Sequence, residues 1–572
     1  MSSPRLPGDP ERLDPLAAVA TVLVVLAMVT FSTYRLVPAD VPWHLATGRW
    51  ILENGFMTTN TFSWTHPDHP LYQQYPLFQV PLALVVDGLG WAAGSMWFGL
   101  LWTGALLAWM RWGGPWPTVS GWPLLWIGAA VGLQRHVVQR PEAGTILLLG
   151  LLLLALDHWR TTGQRRGLVA AVVVQWMMVN THQLFPLGLV VQFGVLAQLV
   201  AVRYGGVRLG LDPTDQQRPV APMALAFAAS VLVLAISPLG PTVYLVPIQT
   251  LSTVLEHGQA SAGGGTPTEL GPVWNDPFAT IVAVLVGGWF LITTARARGH
   301  WRLDEVGTGL LGLLMTVVAL RGIPFLGVAC AAASVRMARR IEPLTPHTSL
   351  VHALTSVAAV GVAGLLSWLG LTSPAQLFGM QAGLGRAHGG WGEELCEVLR
   401  TDAPPGEPIN LGWGAGNPLI GCAFPAKRPF VDPRFEAYPR DFLWEGTQAS
   451  EDPELLQRLV TQWSPGFAVV ELRLDSAQQR LVELVDRGWG VTHLDPDFAI
   501  VVPPGPYLER RRLDDWAFHG PTDDHPVVRA QQLTHHAALL KRLGVGEPQR
   551  WADLARAVDH PIVTAELAAF DL

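Results

Sequence analysis

Apolar residues run along this chain in long blocks rather than alternating with polar ones. The first block covers 15–31. Others follow at 95–110, 121–134, 143–157, 167–180, 184–201, 220–236, 277–295, 306–320, 322–336 and 349–370. A helix needs about 20 apolar residues, or slightly fewer, to cross a hydrocarbon core of ~30 Å, so these blocks predict membrane-spanning helices. Residues 77–90 are apolar too and read either as a span or as a helix in the interface. No small-residue cleavage site follows the first block, which predicts a retained helix rather than a removed signal peptide.

After residue 375 the pattern changes. Short apolar runs at 408–411, 429–431, 467–470 and 498–502 predict strands, and 391–400, 453–463 and 476–487 predict helices between them. The chain thus divides into a polar N-terminal tail (1–13), a transmembrane domain (14–375) with a long first loop (33–94), a small α/β domain (376–505), and a helical C-terminal tail (506–572).

Composition agrees with a polytopic α-helical membrane protein. Half of the 572 residues are hydrophobic, only 15% are charged, and mean hydropathy is +0.30; soluble domains carry roughly 25% charged residues. A net charge of −7 offers no basic field for nucleic acid.

Arginines set the expected topology. They cluster at Arg160, Arg165 and Arg166; at Arg203, Arg208 and Arg218; at Arg296, Arg298 and Arg302; and at Arg336, Arg339 and Arg340. Successive clusters are separated by two apolar blocks, which puts all four on the cytoplasmic side by the positive-inside rule. Counting back, the Asp40 loop is extracytoplasmic only if 77–110 crosses once. That makes 77–90 interfacial and gives about eleven spans, with the N-terminus cytoplasmic and everything after 375 extracytoplasmic.

The extracytoplasmic face then collects ionisable residues, which at membrane depth cost at least a few kcal/mol each unless paired or lining a wet cavity. The first loop opens with Asp40-Val41-Pro42-Trp43-His44 and continues to Arg49 and Glu53. Its residues 43–53 predict a short amphipathic helix on the bilayer with Asp40 at its mouth. Gln139, Arg140 and Glu142 follow, then Asn180-Thr181-His182-Gln183 and Arg321-Gly322-Ile323-Pro324. Each also has a plain structural reading. Asp40 can cap its helix, His182 and Asn180 can bind neighbouring helices, and Glu142 can be a helix-start acid favoured by the dipole.

The run Asp40, two residues, Trp43-His44-Leu45-Ala46-Thr47-Gly48-Arg49-Trp50-Ile51-Leu52-Glu53-Asn54-Gly55, then Thr61-Phe62-Ser63-Trp64-Thr65, resembles the first loop of bacterial membrane proteins of the GT-C glycosyltransferase superfamily. Gln139 to Glu142, Trp176 to His182, Ser237 to Gly240 and Leu320 to Pro324 fall where that group has similar motifs; the resemblance covers roughly residues 14–340. It implies a GT-C-like fold with two interfacial helices in the first loop, residence in the bacterial plasma membrane, and transfer of a sugar from a polyprenyl-phosphate donor to an extracytoplasmic acceptor. It further implies Asp40 as general base and Glu142 as a second carboxylate.

Such a transfer needs a base at the attacking hydroxyl and positive charge at the leaving phosphate. Arg140, Arg321 and Arg49 can supply that charge, with His44 and His182 beside them. Asp40, His44, Glu142 and His182 are also able to ligate a divalent metal, although no ligand spacing calls for one. Paired acids are common in this loop of the family, whereas here Val41-Pro42 follows Asp40. That departure keeps a non-catalytic GT-C-like scaffold or lipid-binding protein as the rival reading. A transporter ranks third, because no internal repeat is visible.

Two features of the outer domain stay open. Val431-Asp432-Pro433-Arg434-Phe435-Glu436-Ala437-Tyr438, with Gly412-Trp413-Gly414-Ala415-Gly416-Asn417 upstream, is similar to an acidic-arginine-tyrosine segment of that family, which implies that it faces the active site; from the residues alone it reads as a strand and turn holding an Asp–Arg pair. Cys396 and Cys422 share an oxidising compartment if this domain lies outside, but two cysteines are too few to establish a bridge.

Overall fold

The Leu-, Val- and Ala-rich blocks contain few turn residues, and in the computed structural model they fold as helices. The structure describes residues 15–71, 75–114, 139–205, 210–248, 271–341, scattered positions from 357 to 368, 383–412 without 388, 414–434, 437–510, 526–543 and 548–571. They gather into two units. One holds the chain up to Arg35 together with Tyr75–Gly385; the other holds Leu36–Gln74 together with Arg386–Leu572.

The first unit is helical. Among the described residues, five helices are long and apolar enough to cross a membrane: Trp91–Gly113, Glu142–Thr162, Pro186–Arg203, Pro277–Arg296 and Leu320–Ile341. Val220–Ala235 and Gly240–Ile248 make a sixth if the pair, bent by 114°, is one span. Ala18–Ser32, Pro76–Leu89 and Arg166–Val179 are shorter apolar helices, and Leu303–Val318 packs beside them. The chain is a multi-pass membrane protein. The expected block at 121–134, and all but a few positions of 349–370, lie outside the described residues.

Each of the four basic clusters sends an arginine into one polar knot. Arg160 pairs with Asp215 and, at 2.6 Å, with Asp304. Arg218 donates to the Arg160 carbonyl at 2.8 Å, and Arg302 reaches Asp212 at 3.2 Å. Arg336 spans Asp157 at 2.6 Å and Glu305 at 3.0 Å, and Arg340 closes on Glu305 from the other side. Glu305 is fully buried. A carboxylate so placed is tolerated because several guanidiniums surround it. The four arginine-bearing segments therefore meet at one end of the helices.

The second unit is built on a mixed sheet in the order β1-β2-β4-β3. β1 (Pro408–Leu411) runs parallel to β2 (Phe467–Glu471), while β4 (Phe498–Val502) is antiparallel to both β2 and β3 (Gly490–Leu494). All five residues of β4 are buried, as expected of an inner strand covered on both faces. Leu395, Leu399, Leu419, Phe467 and Ile500 are among its core residues.

Three expectations for this domain change. Residues 429–431 are not a strand: Asn410 takes the Phe430 and Val431 amides on its Oδ1 and donates to the Val431 carbonyl, replacing a ladder with one side chain. β3 was hidden by Gly490, Thr492 and His493, and its pairing is irregular between Val491 and His493. The helix Arg440–Gln448 was also not anticipated. Cys396 and Cys422 form a disulfide with a Cα separation of 5.8 Å, inside the ordinary range.

The first loop belongs to this unit because its polar side chains satisfy backbone groups of the α/β domain. Trp64 Nε1 donates to the Pro408 carbonyl at 2.9 Å, Thr65 Oγ1 to that of Phe430 at 2.8 Å, and Asn60 Nδ2 to that of Ala437 at 2.8 Å. Among the described residues of the tail, the helices Pro526–Leu543, Pro548–Arg556 and Pro561–Ala569 pack around Leu533, Ala552 and Leu567.

Candidate functional site

Glu142 opens the Glu142–Thr162 helix behind Pro141, in the first turn, where the helix dipole favours an anion. Arg321 reaches it from the Leu320–Gly322 turn, its Nη2 donating to Glu142 Oε1 at 2.8 Å. Glu142 Oε2 is buried with no hydrogen-bond partner. The turn that presents Arg321 lies tight against the preceding helix: a Cβ on Gly322 would fall 2.3 Å from the Met315 carbonyl carbon, so glycine is required.

His182 occupies the loop between Arg166–Val179 and Pro186–Arg203, 5% exposed, with its ring edge-on to Tyr75 at 5.6 Å. Burial pulls its imidazole down to about 4; Glu142 opposes the shift, and Arg321 and Arg140 add to it. The ring is therefore neutral near pH 7, and its buried Nδ1 has no partner. Arg140 is close enough for its charge to act on His182, Glu142 and the buried Tyr34 phenol, which burial raises above its ordinary range. Gln139 donates to the Tyr34 and Arg35 carbonyls at 3.4 and 3.2 Å, fixing how the chain enters this corner.

Two guanidiniums, one carboxylate and a neutral imidazole leave the corner cationic. An oxyanion with several acceptor atoms is the ligand such forks suit. At 1.5 Å per residue, the Glu142–Thr162 helix carries Arg160, and with it the arginine knot, roughly 27 Å from Glu142. That is close to the thickness of a hydrocarbon core.

Asp40, His44 and Arg49 lie in the second unit. Pro42 sits in the first turn of the Val41–Asn54 helix, and Asp40 stands at its N-cap with φ −116° and ψ −15°. Its side chain makes no capping bond, so the plain capping role is not the one it plays; Oδ1 accepts from Trp43 Nε1 at 3.4 Å. His44 is 1% exposed with its ring 3.6 Å from that of Trp43, and Arg49 is half-buried further along the helix.

No family model and no curated protein matches the sequence. Solved structures do match by shape. The archaeal oligosaccharyltransferase AglB from Archaeoglobus fulgidus, in complex with an inhibitory peptide and a dolichol-phosphate, aligns with a TM-score of 0.57 and 12% identity, over 83% of this chain and 72% of its own. An apo form of the Archaeoglobus fulgidus oligosaccharyltransferase gives a TM-score of 0.51 and 11% identity, over 80% and 71%. The fold is GT-C. ArnT from Cupriavidus metallidurans, bound to undecaprenyl phosphate, aligns at 0.49 with 13% identity, over 86% of this chain and 98% of its own.

Within this fold the outer-domain motif is a staple. Arg434 grips Asp432 through Nε and Nη2, both at 2.7 Å, and donates to Asn60 Oδ1 at 2.6 Å; the Tyr438 hydroxyl donates to the same Asp432. Asp432, Arg434, Tyr438 and Asn60 are all buried, so this segment ties the first loop to the α/β domain. Among the described residues no three His, Cys, Asp or Glu side chains gather as a metal set. Glu142 and His182 supply two donors, one of them already engaged by Arg321.

The sequence reading picked out Arg140, Glu142, His182 and Arg321, and these four come together. It passed over Tyr34 and did not weigh Gln139 or Tyr75 as site residues. Tyr34-Arg35 follows the first apolar block, in the same position relative to the membrane that drew attention to Asp40.

Proposed function

We propose that this protein is a membrane glycosyltransferase that moves a sugar from a polyprenyl-phosphate donor to an acceptor hydroxyl on the extracytoplasmic side. The observation that carries the reading is the cationic corner of Arg140, Glu142, His182 and Arg321 at the end of the helices opposite the arginine knot. By the positive-inside rule the knot marks the cytoplasmic face, the N-terminus is cytoplasmic, and the corner and the α/β domain face outward. The dolichol-phosphate in the AglB structure supports a lipid phosphate as ligand class.

In the reaction the acceptor oxygen attacks the anomeric carbon, the bond from that carbon to the phosphate oxygen breaks, and polyprenyl phosphate leaves with the electron pair. Asp40 takes the hydroxyl proton as general base. Arg321 and Arg140 stabilise the charge growing on the phosphate, and Glu142 holds the Arg321 fork in place. A neutral His182 can donate a hydrogen bond to a phosphate oxygen without adding charge, and His44 and Arg49 contribute to substrate binding.

The test is transfer from a panel of labelled polyprenyl-phosphate sugars by purified protein in proteoliposomes. Label moved to an acceptor, and lost in Arg321→Ala, supports the reading. Tight lipid-phosphate binding with no transfer from any donor turns the protein into the non-catalytic lipid binder.

A further inference from the structure

The Gly412–Asn417 run and the turn after it have no part in the chemistry above, yet they touch the backbone that carries Asp40. Asn417 Nδ2 donates to the Pro38 carbonyl at 3.1 Å and also to the Ala39 carbonyl. These are the last two carbonyls before Asp40. Asn417 is 2% exposed, and its Oδ1 is buried with no partner, so the amide is oriented by these two acceptors. An amide turned over would face two carbonyl oxygens with its own oxygen.

A second contact lies on the same turn. A Cβ on Gly421 would sit 3.0 Å from Pro42 Cβ, so the first turn of the Asp40 helix rests directly on the Leu419–Ala423 turn. Cys422, in that turn, is bridged to Cys396 on the Glu393–Thr401 helix. The Asp40 carbonyl accepts from the His44 amide at 3.2 Å inside the helix, and Asn417 and Gly421 seat the segment that leads into it from outside.

We propose that Asn417 is a positioning residue for Asp40, holding the carboxylate's backbone through the Pro38 and Ala39 carbonyls. The proposal rests on the reading of Asp40 as the base. Displacing a reacting group by ~1 Å can lower a rate on the order of 10²-fold. Removing the two donated bonds lowers kcat and leaves KM for the lipid donor unchanged, because the Asn417 amide is engaged by the Pro38 and Ala39 carbonyls.

The experiment is a double-mutant cycle in the full-length protein, with Asn417→Leu, Asp40→Asn and both together, assayed with the panel of labelled polyprenyl-phosphate sugars. Hydrogen exchange of the peptide containing Pro38 to Leu45 is followed in parallel. The expected result is a kcat lowered at least tenfold in Asn417→Leu, faster exchange confined to that peptide, and no further loss when Asn417→Leu is added to Asp40→Asn. A merely structural residue would instead give losses that multiply in the double variant, and that outcome overturns the proposal. Normal kcat in a folded Asn417→Leu alongside an inactive Asp40→Asn also overturns it, while leaving Asp40 as the base. Normal kcat in Asp40→Asn overturns the catalytic reading of Asp40 and the positioning role with it. Where Asn417→Leu does not fold, the isosteric Asn417→Asp takes its place with the same outcomes.

Discussion

Arg321 donates to one oxygen of Glu142 at 2.8 Å, while the other oxygen of the same carboxylate is buried without a partner. One carboxylate oxygen is thus met by Arg321, and that arginine is only partly buried, with 31% of its side chain exposed. Arg321 can therefore turn one face to Glu142 and another to an incoming anion.

Replacing Arg321 with Ala strands Glu142 in a low-dielectric corner. Truncating one partner of such a pair costs about 2–5 kcal/mol when both groups are desolvated; exposure of Arg321 puts the expected loss near the bottom of that range. Transfer falls at least tenfold. Arg321→Lys keeps the charge but loses the fork, so it restores stability better than turnover. Thermal unfolding and transfer measured on both variants check this; equal rescue of both properties by Lys would show that only charge matters.

The arginine knot makes a separate prediction. Glu305 holds Arg336 and Arg340 together, and Arg302 lies 3.9 Å away. Glu305→Ala leaves these guanidiniums without their central carboxylate and should destabilise the protein by about 3–5 kcal/mol, the usual result of breaking a buried ionic group. The effect should appear in thermal unfolding in detergent. A shift no larger than that of an exposed surface substitution would mean that water reaches the knot.

His182 adds a pH dependence of known sign. Its pKa falls from 6.5 to about 4 in the folded chain, so between those values the unfolded state binds the proton and the native state does not. Stability from this group is intact above pH 6.5 and is lost as pH falls toward 4, by up to about 1.4 kcal/mol per pH unit. His182→Asn should flatten that part of the stability profile relative to the parent. Identical slopes in the two proteins would place His182 in contact with water.

The helices were legible because blocks such as 143–157 and 277–295 have one physical solution in a bilayer. The arginine clusters were legible as clusters, but not the acids that gather Arg160, Arg302, Arg336 and Arg340: Asp304, Asp212 and Glu305 come from other parts of the chain. Glu142, His182 and Arg321 could be nominated because each interrupts or ends an apolar block, but their pairing depends on how helices far apart in sequence pack. The 429–431 run misled because its pattern is that of a strand, while Asn410, some 20 residues earlier, satisfies its backbone. That the first loop joins the α/β domain was equally invisible, since it rests on single bonds such as Trp64 to Pro408 and Asn60 to Ala437.

If the outer domain is extracytoplasmic, the Cys396–Cys422 bridge should persist in cells. Both cysteines should resist maleimide until a reductant is added, and a reporter active only outside the cytoplasm, fused after residue 375, should be active. Ready labelling without reductant, or a silent reporter on a well-expressed fusion, would reverse the orientation.

Asp40→Asn separates the catalytic reading from every structural one. The carboxylate accepts from Trp43 Nε1 at 3.4 Å, a bond the Asn carbonyl oxygen can also accept. It makes no capping bond that Asn would have to replace, and Asn is in any case a good residue at that position. Its backbone is held from outside by Asn417, which the substitution does not touch. The variant keeps the shape of the side chain and an acceptor for Trp43 Nε1, and should therefore unfold within about 1 kcal/mol of the parent. What it removes is the proton acceptor, and losing general-base assistance lowers a rate by roughly 10²–10⁴-fold. Turnover and thermal stability are to be measured together on one preparation with a donor already shown to react. A stable variant that has lost transfer keeps Asp40 in the mechanism; a stable variant with near-normal transfer removes it and leaves the base to be sought elsewhere.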